Sequence, residues 1–171
     1  MGETTINRLP DILAPAILLV GVIALGTAFT AQYIFGLDPC VLCLYQRIPY
    51  AVAAGLGIWV MLLPGARLEA VAVIAGLLFV SGGVLAVYHV GVEQHWWQAA
   101  TACGATGEHL DDLRSVSDLR GALFAKAPVP CDAVAWSLFG LSMAAYNAIA
   151  SWGLAVLSFV AARLIAQKGI A

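Results

Sequence analysis

Charge is what this chain has least of. Eight Lys and Arg and ten Asp and Glu make up 11% of 171 residues, and they nearly cancel at a net −2. Such a balance leaves no basic surface for a nucleic-acid partner. Against so little charge stand 62% hydrophobic residues and a mean hydropathy of +0.92. A water-soluble globule is excluded, and a chain that crosses a bilayer several times is indicated. Histidine is scarce at three, and cysteine occurs only four times, at Cys40, Cys43, Cys103 and Cys131.

The missing charges define the organisation. Ile12 to Phe35 carries none, and at about 1.5 Å per residue it spans a hydrocarbon core of about 30 Å with length to spare. It also exceeds the apolar core of a signal peptide. A second apolar run reaches Leu63, where Pro64-Gly65 breaks it. A third, from Ala70 to Val92, has His89 near its far end. A fourth is enclosed by Asp132 and Arg163. The expectation is an all-α membrane protein: one domain over residues 1–171, a four-transmembrane-helix bundle with spans at about 13–35, 44–63, 70–90 and 141–162. Residues 133–140 form a shallow lead-in to the last span, and a long outer loop occupies about 91–135. Ala51/Gly55, Ala72/Gly76 and Ala144/Ala148 put small residues four apart, a pattern that permits close helix approach.

Four crossings leave both termini on one side. Arg8, Arg67, Arg163 and Lys168 flank the spans there, so the positive-inside rule puts the termini in the cytoplasm and all four cysteines on the outer face. The outer loop has patterns of its own. Val90 to Trp97, ending in paired tryptophans, reads as a short segment lying along the membrane surface. Leu110, Leu113, Leu119 and Leu123 repeat at mostly helical intervals and give a short amphipathic helix. The acidic cluster Glu108, Asp111 and Asp112 reads as solvated surface that could also steer a partner.

The chemistry concentrates at Cys40 and Cys43. Two thiols at this spacing close a small disulfide, bind a metal or exchange electrons, and spacing alone does not choose. If the segment from Cys40 onward is helical, Cys40 sits near a helix N-terminus, where the macrodipole favours a thiolate. Cys43, Gln46 and Arg47 then share one face, with a guanidinium placed to hold a sulfur anion. Arg47 also fits an interfacial snorkelling anchor. Pro49 leaves room for a kink or a helix restart near Arg47. A c-type haem needs His after the second cysteine, where Leu44 stands. Zinc held by four cysteines suits two close pairs better than one close and one distant, so no metal is expected. The separation of Cys103 and Cys131 suits a movable disulfide, and a structural staple fits them equally well on the residues alone. His89 and His95 read as interfacial or packing residues, and the tryptophans as belt or bundle packing.

Pro39-Cys-Val-Leu-Cys-Leu-Tyr-Gln-Arg47, four spans, and Cys103 with Cys131 in one outer loop together resemble the disulfide bond formation protein B (DsbB) family over nearly the whole chain. Tyr88-His-Val-Gly-Val-Glu-Gln-His-Trp-Trp97 and Pro130-Cys-Asp132 are similar to its proteobacterial members. The resemblance implies a membrane thiol:quinone oxidoreductase of the bacterial inner membrane, with quinone (ubiquinone or menaquinone) as cofactor. The implied partner is a DsbA-like periplasmic thioredoxin-fold dithiol oxidase, which it reoxidises. It implies redox-active pairs Cys40–Cys43 and Cys103–Cys131, with Cys103 meeting the partner and Cys43 nearest the quinone. Arg47 matches an arginine that members use at the quinone. Gln46 and His89 are carried over to the same pocket. The rival expectations are a structural membrane protein with inert disulfides and a small transporter or metal-handling protein.

Overall fold

The computed structural model describes residues 9–63, 66–98 and 129–167. Within them the chain forms four long helices and one very short hairpin. The helices are α1 (Leu9–Tyr33), α2 (Val41–Leu62), α3 (Leu68–Glu93) and α4 (Met143–Gln167). The hairpin, β1 (Ser137–Leu138) with β2 (Leu141–Ser142), directly precedes α4. All four helices are long and apolar enough to cross a membrane. The expected all-α four-helix architecture is the one adopted.

The bundle is two tightly packed helix pairs, α1 with α2 and α3 with α4, joined along the α2–α3 seam. Small residues make the approach close. At Gly57 of α2 a Cβ would lie 2.8 Å from the Leu18 nitrogen and 2.9 Å from the Ala14 oxygen, so the α1 backbone itself fills that space. Ala53, Ala72, Ala75 and Ala86 are wholly inaccessible, with Phe79 and Ile165 as the bulky fillers between them. Leu19, Ile23, Leu77, Val84, Ile149 and Leu157 point outward, each about half exposed or more. Such a belt would aggregate in water and is at home against lipid tails.

Several expectations are corrected. Ala72/Gly76 and Ala144/Ala148 are buried, but Ala51 and Gly55 face outward, and the α1 contact is made by Gly57 against Ala14 and Leu18 and by Tyr50 and Ala54 against Gly21. Helix α2 starts at Val41 and runs unbroken through Pro49, with no restart near Arg47. The missing Pro49 donor falls on the turn of Tyr45, which is exposed, while the proline ring itself is buried 3.5 Å from where a Gly82 Cβ would stand. Val90–Glu93 are not a separate surface segment but the last turn of α3. His95 then takes a left-handed φ of 57°, and the chain doubles back. Trp97 stacks on Tyr88 with centroids 5.9 Å apart and donates its indole N–H to the Tyr88 carbonyl at 3.0 Å. Gly91 makes room for it, since a Cβ there would sit 1.9 Å from the indole. The expected lead-in at 133–140 contains β1 and its turn, where Phe139 (φ 50°) and Gly140 (φ 79°) are both left-handed, as a two-residue hairpin loop requires. Ser142 then caps α4 by accepting the Ala145 N–H at 3.2 Å. The amphipathic helix expected around Leu110–Leu123 lies outside the described residues.

Candidate functional site

Cys40 is the residue that starts α2. Its backbone is extended (φ −72°, ψ 172°), and its sulfur accepts the Cys43 N–H at 3.3 Å, the role a serine or aspartate plays at other helix starts. The same geometry brings the two sulfurs together. Cys40 Sγ donates to Cys43 Sγ at 3.0 Å. That hydrogen bond, and then burial, push the Cys40 thiol up to about 12. The helix start therefore does not make Cys40 the thiolate, as position alone suggested. Cys40 holds its proton and offers it to Cys43.

Against this pair stands His89 of α3, buried and carried on a helix that packs beside α2. Its Nε2 is 3.6 Å from Cys40 Sγ. Its Nδ1 faces Gln46 Nε2 at 2.8 Å. Gln46 in turn accepts from the Asn147 amide of α4. Asn147 Oδ1 accepts the Tyr50 hydroxyl at 2.7 Å, and Tyr50 lies 2.9 Å from Ser151 Oγ. One polar chain thus threads α2, α3 and α4 through an apolar bundle. With Gln46 donating to Nδ1, a neutral imidazole carries its proton on Nε2 and directs it at the Cys40 sulfur. Glu93 completes this side. Oε1 is 3.9 Å from His89 Nε2, and the other carboxylate oxygen accepts from Ser142. No buried side-chain nitrogen or oxygen among the described residues lacks a partner.

Arg47 lies one turn beyond Cys43. Its Nη1 donates to Gln32 Oε1 of α1 at 2.7 Å, and its guanidinium lies 5.1 Å from the centre of the Phe29 ring. The side chain is held by an amide and an aromatic face. Cys40, Cys43, Gln46, Arg47 and His89 all line one cavity of about 330 Å³, whose remaining wall is largely apolar. Beside it, Cys131 is completely buried in a cluster with Cys40, Leu42 and Val92. Cys103 lies outside the described residues, and His95 is exposed on the turn after α3.

A family model described as disulfide bond formation protein DsbB matches residues 10–161. The chain belongs to the DsbB family. Among curated relatives, the disulfide bond formation protein B of Dechloromonas aromatica is 33% identical over 149 residues, covering 82% of this chain and 86% of that protein. The protein of the same description from an Azoarcus species is 30% identical over 164 residues, covering 94% and 90%. An uncharacterized protein of Rickettsia prowazekii is 27% identical over 131 residues, covering 77% and 75%. No solved structure matches the chain significantly. As a DsbB-family chain with four apolar helices, it is a multi-pass membrane protein.

Sequence reasoning missed several members of this site. Glu93 is given no role by the sequence and is buried against His89. His89 reads as a packing residue on its own and as a pocket residue through the family resemblance, and it stands at the sulfurs. Gln32, Tyr50, Asn147 and Ser151 drew no attention because they bear no charge. The signal was present all the same: an uncharged polar side chain inside an apolar span needs a partner, and Asn147 and Ser151 are one helical turn apart.

Proposed function

We propose that this protein is a membrane thiol:quinone oxidoreductase that reoxidises a DsbA-like periplasmic dithiol oxidase. The observation that carries the reading is the burial of Cys131 against Cys40, beside a cavity lined by Cys43, Arg47 and His89. An aqueous partner cannot reach into the bundle, and a lipid-soluble oxidant cannot leave the bilayer. Two sulfur pairs at two depths join them, and Cys131 beside Cys40 is where such pairs meet.

The exchange balances as follows. A partner thiolate attacks the Cys103 sulfur of a Cys103–Cys131 disulfide, and Cys131 leaves as thiolate. The second partner thiol attacks the mixed disulfide, so Cys103 leaves and the partner departs oxidised. Cys131 then attacks Cys40 of the Cys40–Cys43 disulfide, and Cys43 leaves as thiolate. Cys103 attacks Cys131, the loop disulfide re-forms and Cys40 leaves. Two electrons have moved from the partner to the inner pair. Cys40, with its thiol held up at about 12, takes a proton readily on leaving. His89 Nε2, 3.6 Å away, is placed to hydrogen-bond that sulfur as it departs.

The cavity suits a flat apolar ring with polar edges. Ala24, Leu25 and Ala28 line its wall, and Cys43, Arg47 and His89 offer a sulfur, a fixed cation and an imidazole. Its volume of about 330 Å³ fits small-ligand sites, which begin at about 300 Å³. Quinone, when bound, supplies the two-electron oxidation that returns the Cys40/Cys43 dithiol to a disulfide. Arg47, anchored by Gln32, is positioned to stabilise negative charge developing on an oxygen at that end. The same reading puts the protein in the bacterial inner membrane, termini cytoplasmic and cysteines on the periplasmic side. Packing of Cys40 and Cys131 in one cluster supports a common face for both pairs.

The test is anaerobic mixing of the detergent-solubilised protein with a reduced periplasmic dithiol protein and a water-soluble quinone analogue, following quinone absorbance. The wild-type chain is expected to reduce the quinone catalytically. Cys43→Ser is expected to abolish this, and Cys103→Ser to end partner oxidation while leaving membrane insertion intact. Wild-type turnover in either variant refutes the route.

A further inference from the structure

The sulfur pair and His89 have a second capacity that electron transfer does not use. Cys40 Sγ, Cys43 Sγ and one imidazole nitrogen of His89 lie within 4.8 Å of one another. We propose that the reduced Cys40/Cys43 pair, with His89 Nε2, is a binding site for a thiophilic d10 divalent cation, zinc or cadmium, which holds the pair in its dithiolate form.

The geometry is close to that of a metal centre. With metal–sulfur bonds of about 2.3 Å and metal–nitrogen bonds of about 2.0 Å, tetrahedral ligands stand about 3.8 Å apart for two sulfurs and about 3.5 Å for sulfur and nitrogen. The Cys40 Sγ–His89 Nε2 distance is already 3.6 Å. The sulfurs, at 3.0 Å, must open by some tenths of an ångström as the hydrogen bond between them is lost. Cys43, the less buried of the two, has room on the cavity side to do so. That cavity leaves the fourth position open to water or a small anion, the arrangement of three protein ligands plus one exchangeable site. A sequence argument from four cysteines misses this site because its third ligand is a histidine from another helix.

Charge and the surrounding hydrogen bonds agree. Two thiolates and a dication sum to zero, so a neutral centre replaces a neutral dithiol in a buried place, and binding releases the two thiol protons. A metal on Nε2 needs the imidazole proton on Nδ1 and an acceptor for it. Gln46 supplies one if its amide turns over, presenting Oε1 to Nδ1 and Nε2 to Asn147. Asn147 turns with it, offering its NH₂ to the Tyr50 oxygen, and Tyr50 donates to Ser151. Every link from Gln46 to Ser151 is an amide or a hydroxyl, so each can reverse its direction. Histidine ligands are held in this way by their outer partners. A disulfide offers no thiolate, so metal and oxidant compete for the same two sulfurs. The proposal needs only that this pair can be reduced, and is independent of the acceptor and the partner.

The test uses the full chain carrying Cys103→Ser and Cys131→Ser, reduced with a phosphine, freed of reductant and titrated with cadmium chloride. One cadmium per chain is expected, giving thiolate-to-cadmium ultraviolet absorption and an X-ray absorption shell of two sulfurs and one histidine nitrogen. The disulfide form is expected to give neither. His89→Gln, which keeps an amide beside Gln46, is expected to weaken binding at least tenfold and remove the nitrogen. Binding unchanged by His89→Gln, or no thiolate absorption in a sample whose two thiols react with a thiol dye, overturns the site. Should the double variant fail to stay monodisperse, the fully reduced wild-type chain serves. One equivalent of zinc must protect Cys40 and Cys43 from alkylation and leave Cys103 reactive, and protection at Cys103 instead contradicts the proposal.

Discussion

At the scale of single residues, the site depends on side chains that hold other side chains. Arg47 could wander along the membrane surface, but Gln32 and Phe29 fix it over the cavity. Arg47→Ala is therefore expected to raise the quinone KM on the order of tenfold, about 1.4 kcal/mol of binding, with helix content retained. Gln32→Leu should move the same constant in the same direction by less. Steady-state quinone reduction checks both, and an unchanged quinone dependence in Arg47→Ala contradicts the role. Asn147 is a different case, since it touches no sulfur. Asn147→Leu keeps the volume but strips a partner from Gln46 and from Tyr50, both buried. Each such loss costs about 1–3 kcal/mol in water-soluble proteins and about 1 kcal/mol within a membrane bundle. Thermal unfolding in detergent is expected to shift down by several degrees, and an unshifted transition denies the relay a structural share.

At the scale of elements, the glycines of α2 separate interface from lipid face. Gly57 meets the α1 backbone, whereas nothing lies within 4 Å of a Cβ built at Gly55. Gly57→Ala is expected to cost about 1–3 kcal/mol through overpacking. Gly55→Ala should be neutral or stabilising by up to about 1 kcal/mol, from helix propensity alone. Paired melting curves decide it, and equal effects would falsify the assigned face. The elements were legible in the sequence for a simple reason: runs without charge have no other stable place than a bilayer-spanning helix. Which face of each run is inward was not legible, because Ala51/Gly55 and Ala53/Gly57 look alike until the neighbouring helices cover one of them. The turn after α3 was hidden for a related reason, since Trp97 is at home both in an interfacial belt and folded over Gly91.

At the scale of the whole molecule, helices far apart in sequence deliver one candidate site. Cys40 and Cys43 come from the head of α2, His89 and Glu93 from the end of α3, Asn147 from the start of α4, and Gln32 from the end of α1. The cysteines, Arg47 and the family could be read from the chain, because a Cys-x-x-Cys with a Gln-Arg tail and two distant partners is a distinctive pattern. The polar relay could not, because each member is a single uncharged residue whose meaning comes from a neighbour dozens of positions away.

The central claim is that the outer and inner sulfur pairs exchange bonds through Cys131 and Cys40. Mapping disulfides by non-reducing digestion and mass spectrometry in the Cys43→Ser, Cys103→Ser chain tests it most directly, since only those two sulfurs remain. The account predicts a Cys40–Cys131 bond, formed within the monomer under mild oxidation and in high yield, as burial in one cluster implies. Two thiols that stay apart, or that link only between chains, would contradict it.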